Sequence, residues 1–260
     1  MIFESHAHYD DEAFNEDRES LLSSMKDNGV EYIVNVSADF ESIDPIYELT
    51  QQFDFVYGTV GVHPGAAKDM TQERFEYLQR AALRDKVVAI GEIGLDYYWE
   101  KEEAQKANQK EWFVKQLQLA KEVNKPVIIH SREAAADTLE IMKQEWADRP
   151  AVIHCYSYSK EMAKIYAKMG YYFGIGGVLT YKNARTLVET VEYVPIEQLV
   201  LETDCPYLSP VPNRGKRNDS TNLHYVAKKI AEIKNMPYDA VVEITAQNAK
   251  KLFFGEQNLK

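Results

Sequence analysis

Cysteine is scarce in this chain: 260 residues contain two, Cys155 and Cys205, in neither a redox nor a metal-ribbon spacing. Disulfide stapling is therefore neither needed nor indicated, and a reducing compartment fits. Long hydrophobic runs are missing as well. No stretch of about 18 apolar residues occurs, so no membrane-spanning helix and no membrane partner are expected. The opening Met1-Ile2-Phe3-Glu4-Ser5-His6 lacks the basic segment and apolar run of an export signal, which makes a soluble, cytoplasmic protein the expectation. Positive charge is in deficit: 30 basic residues against 41 acidic ones leave a formal net charge of −11. That balance argues against broad adhesion to duplex nucleic acid, where basic surfaces dominate, so an anionic substrate has to be gripped locally.

Linkers, low-complexity tracts and charge blocks are also missing, and a single domain over residues 1–260 is expected. What recurs is a short β-branched or aromatic run, a polar or glycine-containing loop, then a stretch with helical spacing. Strands are predicted at 2–5, 32–36, 56–62, 87–92, 127–130, 151–154, 171–175 and 199–203. Helices are predicted at 18–28, 42–52, 73–84, 104–124, 134–146, 159–169, 183–191 and 222–234, with an additional C-terminal helix at 237–254. Right-handed alternation of this kind builds a parallel sheet, and eight units suffice to close it into a (β/α)8 TIM barrel. A doubly wound open sheet shares the alternation but normally carries a glycine-rich phosphate turn after its first strand. Here that turn holds His6-Ala7-His8, which favours the barrel.

Five of the six histidines fall where predicted strands end, the side on which barrels build active sites. His6 and His8 follow the first run, His63 the third, His130 the fifth and His154 the sixth; Glu92 ends the fourth and Asp204 follows the eighth. Residues i and i+2 of a strand share a face, so His6 and His8 suit a chelating pair. Imidazole with a few carboxylates favours Zn, Mn, Ni or Fe over Mg, without fixing the metal. Two divalent ions are expected, one on His6, His8, Glu92 and Asp204 and the other on Glu92, His130 and His154, with Glu92 bridging. Glu92 and Asp204 are the expected catalytic carboxylates, Asp204 accepting a proton from an activated water. A lone strand-end histidine is more often a hydrogen-bonded structural residue; six candidate ligands at one end reverse that reading.

Further residues are candidates for substrate contacts. His63 sits in Gly61-Val62-His63-Pro64, where loop capping is the competing role. Arg214, Lys216 and Arg217 offer three cations on a glycine-containing loop suited to phosphate, against a merely solvated basic loop. Arg132 lies two residues past His130 and has a structural salt bridge as its alternative. Tyr207 is placed to cover the pocket or stack on a base, or simply to pack. Glu202 shares a face with Asp204 and is placed to orient ligands. His224 reads as a surface or packing residue, and Cys155 and Cys205 as small buried groups facing away from the barrel mouth.

These motifs resemble the TatD family of metal-dependent hydrolases, within the amidohydrolase-like barrels. The resemblance runs from His6-Ala7-His8 through Gly61-Val62-His63-Pro64, Gly91-Glu92-Ile93-Gly94-Leu95-Asp96-Tyr97, Pro126-Val127-Ile128-Ile129-His130-Ser131-Arg132, Val152-Ile153-His154-Cys155 and Leu201-Glu202-Thr203-Asp204 to Gly215-Lys216-Arg217-Asn218. It implies a two-metal barrel that hydrolyses phosphodiesters, with deoxyribonuclease activity and trimming of 3′ ends in some members. The chain departs from the family pattern at Gly65, where many relatives have a second histidine, at Tyr158 in place of a turn glycine, at Asp219-Ser220 in place of Glu-Pro, and at Cys205 in place of alanine.

The leading functional expectation is metal-assisted hydrolysis of phosphodiesters in DNA or nucleotides, at single-stranded or 3′ ends, with no obligate protein partner. An amidase, lactonase or esterase acting on a small molecule is the alternative, because related barrels use the same ions to polarise carbonyls. A non-catalytic scaffold is disfavoured by the intact ligand set.

Overall fold

The computed structural model describes residues 1–255. Eight parallel strands run β1 (Ile2–Ala7), β2 (Val30–Asn35), β3 (Val56–Val60), β4 (Val87–Asp96), β5 (Val127–Arg132), β6 (Ala151–Ile153), β7 (Tyr172–Ile175) and β8 (Leu199–Leu201). They are hydrogen-bonded in sequence order. A parallel bridge between Ala7 and Cys205 brings the last strand back to the first. The (β/α)8 barrel is thus observed. Its helices are α1 (Arg18–Ser23), α2 (Ile43–Gln52), α3 (Gln72–Ala81), α4 (Glu103–Glu122), α5 (Ala135–Glu145), α6 (Lys160–Lys168), α7 (Arg185–Tyr193) and α8 (Leu223–Lys234), followed by α9 (Tyr238–Phe254).

Inside the barrel, Phe3, Val34, Ala89, Ile128, Val152, Tyr172 and Val200 join one apolar cluster with Ala246, Ala249, Leu252 and Phe253 of α9. The C-terminal helix therefore plugs one end. Two residues beyond Ile128, Val152 and Val200 stand His130, still within β5, and His154 and Glu202, each just past the end of its strand. The alternation that seals the barrel floor thus also aims the polar groups into its mouth.

Two buried glutamines of α4 hold the strand ends in place. Gln116 accepts from Val62 N and donates to Val62 O at 2.8 and 3.2 Å, and Gln109 does the same for Asp96 at 3.0 and 3.2 Å. β4 runs to Asp96, four residues beyond the predicted end, and Gly94 makes the extension possible. Its φ of 145° lies outside the range of L side chains, and a Cβ there would come within 1.9 Å of His130 O.

Candidate metal centre

The first histidine pair converges as its spacing predicts. His6 Nε2 and His8 Nε2 face each other at 3.1 Å. Asp204 Oδ1 lies 3.3 Å from His8 Nε2 and 3.7 Å from His6 Nε2, and Glu92 Oε2 is 3.4 Å from His6 Nε2. Donors held at about 2.0 to 2.2 Å around one tetrahedral or octahedral ion stand roughly 2.8 to 3.6 Å apart. The spacing is that of ligands sharing a cation. His8 Nδ1 donates to Val36 O at 2.8 Å, which turns the Nε2 lone pair toward the cluster. Facing lone pairs repel unless a proton or cation lies between them, so this donor set fits a divalent ion.

The second group forms around the other oxygen of Glu92. His130 Nδ1 is 2.7 Å and His154 Nε2 3.6 Å from Glu92 Oε1. The His154 ring stacks on His6 with centroids 3.7 Å apart, which puts the two groups side by side with Glu92 between them. All six expected ligands are therefore brought to one rim.

Three further carboxylates surround this set. Glu202, 1% exposed, lies 3.2 Å from His154 Nδ1 in an ion-pair contact and accepts from Cys155 N at 2.6 Å. Gly174 makes room for it, since a Cβ there would meet Glu202 Oε2 at 2.0 Å. Asp96 Oδ2 is 3.1 Å from His130 Nε2, while its Oδ1 accepts from Tyr98 N and Trp99 N at 2.9 and 3.1 Å. The four-residue offset from Glu92 was the available clue. Glu4, buried between β1 and β8, accepts from His6 N, Thr203 N and Thr203 Oγ1 at 3.1, 2.9 and 2.7 Å.

The charges follow from burial opposed by neighbours. Desolvation would raise Glu92, but His154, His130 and His6 hold it well below the usual carboxylate range. Asp204 is lowered in the same way, against its burial, by His8, His154 and His6. Burial pulls His8 and His154 down, yet the facing carboxylates win: Asp204, Glu92 and Asp10 raise His8 to about 9, and Glu202, Glu92 and Asp204 raise His154 to about 10. The cluster is an anionic cavity that calls for positive charge, from protons or from metal ions. Desolvation with the nearby charge of His154 lowers His6, leaving its lone pair free. Burial and the repulsion of His130 push His63 down to about 4.

His63 packs edge-on against His130 with centroids 4.2 Å apart. Its Nδ1 accepts from Gly65 N at 3.0 Å, so the neutral ring carries its proton on Nε2, and His63, Glu92 and His130 bring ligand atoms within 4.8 Å of one another. Of the loop cations, Arg217 is engaged elsewhere: it pairs with Asp17 at 2.6 and 2.7 Å, donates to Ala13 O at 2.8 Å and covers the Phe14 ring. Arg214 stacks on Tyr181 at 4.3 Å, and Lys216 is exposed. Asn218 fixes this loop beside Asp204 by donating to Thr203 O and Tyr207 O at 3.1 and 2.8 Å. Tyr207 is 57% exposed and donates to Asp11 Oδ2 at 2.9 Å. His224 lies outside the cluster, its Nδ1 against Thr221 O at 2.6 Å. Cys205 is buried, but Cys155 departs from expectation. A φ of 44° turns its backbone, and its thiol falls within 4.8 Å of ligand atoms of His154 and Asp204 instead of facing away.

The comparisons agree with this chemistry. The family model for TatD related DNase matches residues 3–254. YabD of Bacillus subtilis (strain 168), an uncharacterized metal-dependent hydrolase, is 43% identical over 254 residues, covering 97% of this chain and 99% of its own. YcfH of Escherichia coli (strain K12), also an uncharacterized metal-dependent hydrolase, is 35% identical over 257 residues, 97% of this chain and 96% of its own. The crystal structure of YJJV, a TatD homolog from Escherichia coli K12, has a TM-score of 0.90 at 29% identity, covering 97% of this chain and 98% of that one. Carboxylates and imidazoles gathered at one rim of a (β/α)8 barrel, with relatives along nearly the whole length, make this chain a member of the TatD family of metal-dependent hydrolases.

Proposed function

We propose that the protein is a deoxyribonuclease that hydrolyses phosphodiesters at single-stranded or 3′ DNA ends with two divalent ions, Zn, Mn, Ni, Fe or Mg. The observation that carries the proposal is the pairing of the converged donor set with an arginine at the same rim that stacks on Tyr98 but leaves its N–H groups without an acceptor among the described residues. Among the described residues, the Arg132 guanidinium has no hydrogen-bond acceptor and no carboxylate within 4 Å, although it lies two residues from His130. An unpaired arginine beside a metal centre is suited to a phosphate.

On this reading His6, His8, Glu92 and Asp204 hold one ion and Glu92, His130 and His154 the other. Divalent ions so held supply Lewis acidity, polarising a phosphoryl oxygen and lowering the pKa of water toward neutrality. Asp204, its side chain 20% exposed, accepts the proton of the attacking water. Glu202 and Val36 O fix the rings of His154 and His8 by their Nδ1 atoms. His63 Nε2–H donates to a phosphate oxygen, and Arg132 with Arg214 and Lys216 binds the chain of phosphates. Tyr207 lends its exposed ring to the rim. We further infer that the enzyme acts in the cytoplasm as one barrel domain without an obligate protein partner; among the described residues no helix is long and apolar enough to cross a membrane.

The test pairs elemental analysis with cleavage of a 5′-labelled single-stranded oligonucleotide by wild type, Glu92→Ala and Asp204→Asn. Two metal equivalents and a 3′-shortening ladder in wild type alone are expected. Undiminished cleavage by both variants means a contaminant or another site, and turnover restricted to amides, lactones or carboxylate esters replaces the nuclease with the small-molecule alternative.

A further inference from the structure

Three tryptophans occur in the chain, and they do different things. Trp112 and Trp146 are 7% and 1% exposed and belong to the core. Trp99 is 74% exposed, and its neighbour Tyr98 is 40% exposed. A single exposed aromatic is ordinary on a protein surface; what sets this one apart is its position beside the metal centre.

The loop that carries this pair is tied to the centre. Asp96 accepts from the backbone N–H of both Tyr98 and Trp99 with one oxygen and faces His130 Nε2 with the other. One carboxylate thus separates the aromatic pair from a proposed ligand. The two rings meet edge to face at 4.8 Å. Arg132 lies over Tyr98 at 3.8 Å and reaches within 5.8 Å of the Trp99 ring. With its face against tyrosine, the guanidinium keeps its N–H edge for an anion. Beside them a cleft of about 110 Å³ runs between Trp99, Asp96, His63 and Lys68. Glu100 lines the same cleft, and Glu133 pairs with Lys101 at 3.4 Å nearby. The rim is therefore not a purely cationic trap, and affinity for a polyanion here has to draw on stacking as well as charge.

We propose that Trp99 is the stacking platform for the nucleobase next to the scissile phosphodiester of a single-stranded nucleic acid, with Arg132 clamping the adjoining phosphate. This deepens the phosphodiesterase reading and rests on it. Every base has a π-face, so the platform accepts any sequence; a base inside a duplex has both faces covered, so the platform selects unpaired ends.

Two measurements test it. In chelator-treated protein, a short oligothymidylate should quench tryptophan fluorescence saturably, because only Trp99 is exposed to it, and Trp99→Phe should abolish the quench. In the metal-loaded enzyme, Trp99→Ala should raise KM for the single-stranded oligonucleotide about tenfold, the scale of one lost base stack, with the loss falling on KM rather than kcat. Trp99→Phe should recover most of it, and an oligonucleotide abasic at the stacked position should be cut equally by wild type and Trp99→Ala. Cleavage with KM of Trp99→Ala within twofold of wild type, or an equal loss on the abasic substrate, overturns the platform and leaves the phosphodiesterase reading standing. Failure of wild type to bind or cut any oligonucleotide overturns both.

Discussion

The two ends of the barrel treat charge in opposite ways. At the end sealed by α9, Phe3 stacks against Phe253 with centroids 5.9 Å apart, and the nearby lysines are satisfied by the backbone. Lys86 donates to Thr50 O and Phe53 O at 2.7 and 2.8 Å, where α2 ends, and Lys125 donates to Ala82 O and Val87 O. At the mouth, carboxylates crowd one another with imidazoles between them, and Arg132 has no acceptor among the described residues. One end resolves its polar groups internally, which stabilises the fold; the other leaves them for ions and substrate. The polar groups of the mouth are tolerated only because the floor carries the packing.

The largest expected effect breaks the mouth without touching the floor. Asp204→Asn should lower kcat/KM by about three orders of magnitude or more while leaving the urea midpoint of the metal-free protein near wild type, as read by steady-state kinetics beside equilibrium unfolding. The converse variant, Phe253→Ala, should lose about 3 to 5 kcal/mol of stability with activity per folded molecule retained. If it instead lost activity while keeping stability, the division of labour between the ends would fail.

Next in size is the support beneath the ligands. Glu202→Gln keeps the shape that Gly174 accommodates but removes the charge facing His154, so metal affinity should fall roughly 10- to 100-fold in a chelator competition. An unchanged affinity would separate Glu202 from the centre.

The pH response should be opposite with and without metal. His8 and His154 are raised from 6.5 to about 9 and about 10, and Glu4 from 4.5 to about 8, its burial outweighing the hydrogen bonds of Thr203 and His6. In each case the folded state binds more protons than the unfolded one between the two values. For the metal-free protein, this stabilisation is complete below the unfolded values and is lost as pH rises through about 8 to 10. Metal binding must displace the histidine protons, so the loaded protein should lose metal, and with it stability, as pH falls. His6 and His63 are lowered and act in the opposite sense below about 6.5, so the comparison belongs above that range. Melting curves from pH 7 to 9, with and without metal, should slope in opposite senses; parallel slopes would deny that protons and ions compete for one cavity.

What was legible in the sequence follows the same division. Strand positions and the six converging residues could be read because apolar runs and i, i+2 spacing act locally. The predicted helix at 18–28 ends at Ser23, where successive turns take over before Gly29. Long-range partners were not legible: nothing near Arg217 announces Asp17, 200 residues away, and nothing near Glu4 announces Thr203. Asp96 was hidden because its strand was expected to stop at Glu92, and Trp99 because exposure is decided by packing that a single sequence does not display. Cys155 departs from the alternating pattern because strand geometry ends where its backbone turns to a φ of 44°.

The shared centre is tested most directly by anomalous diffraction from crystals of the metal-loaded protein. Two peaks roughly 3.5 to 4 Å apart are expected, one against His6, His8 and Asp204 and one against His130 and His154, with Glu92 between them. Metal bound away from these side chains, or two well-occupied ions that Glu92 does not touch, would contradict it.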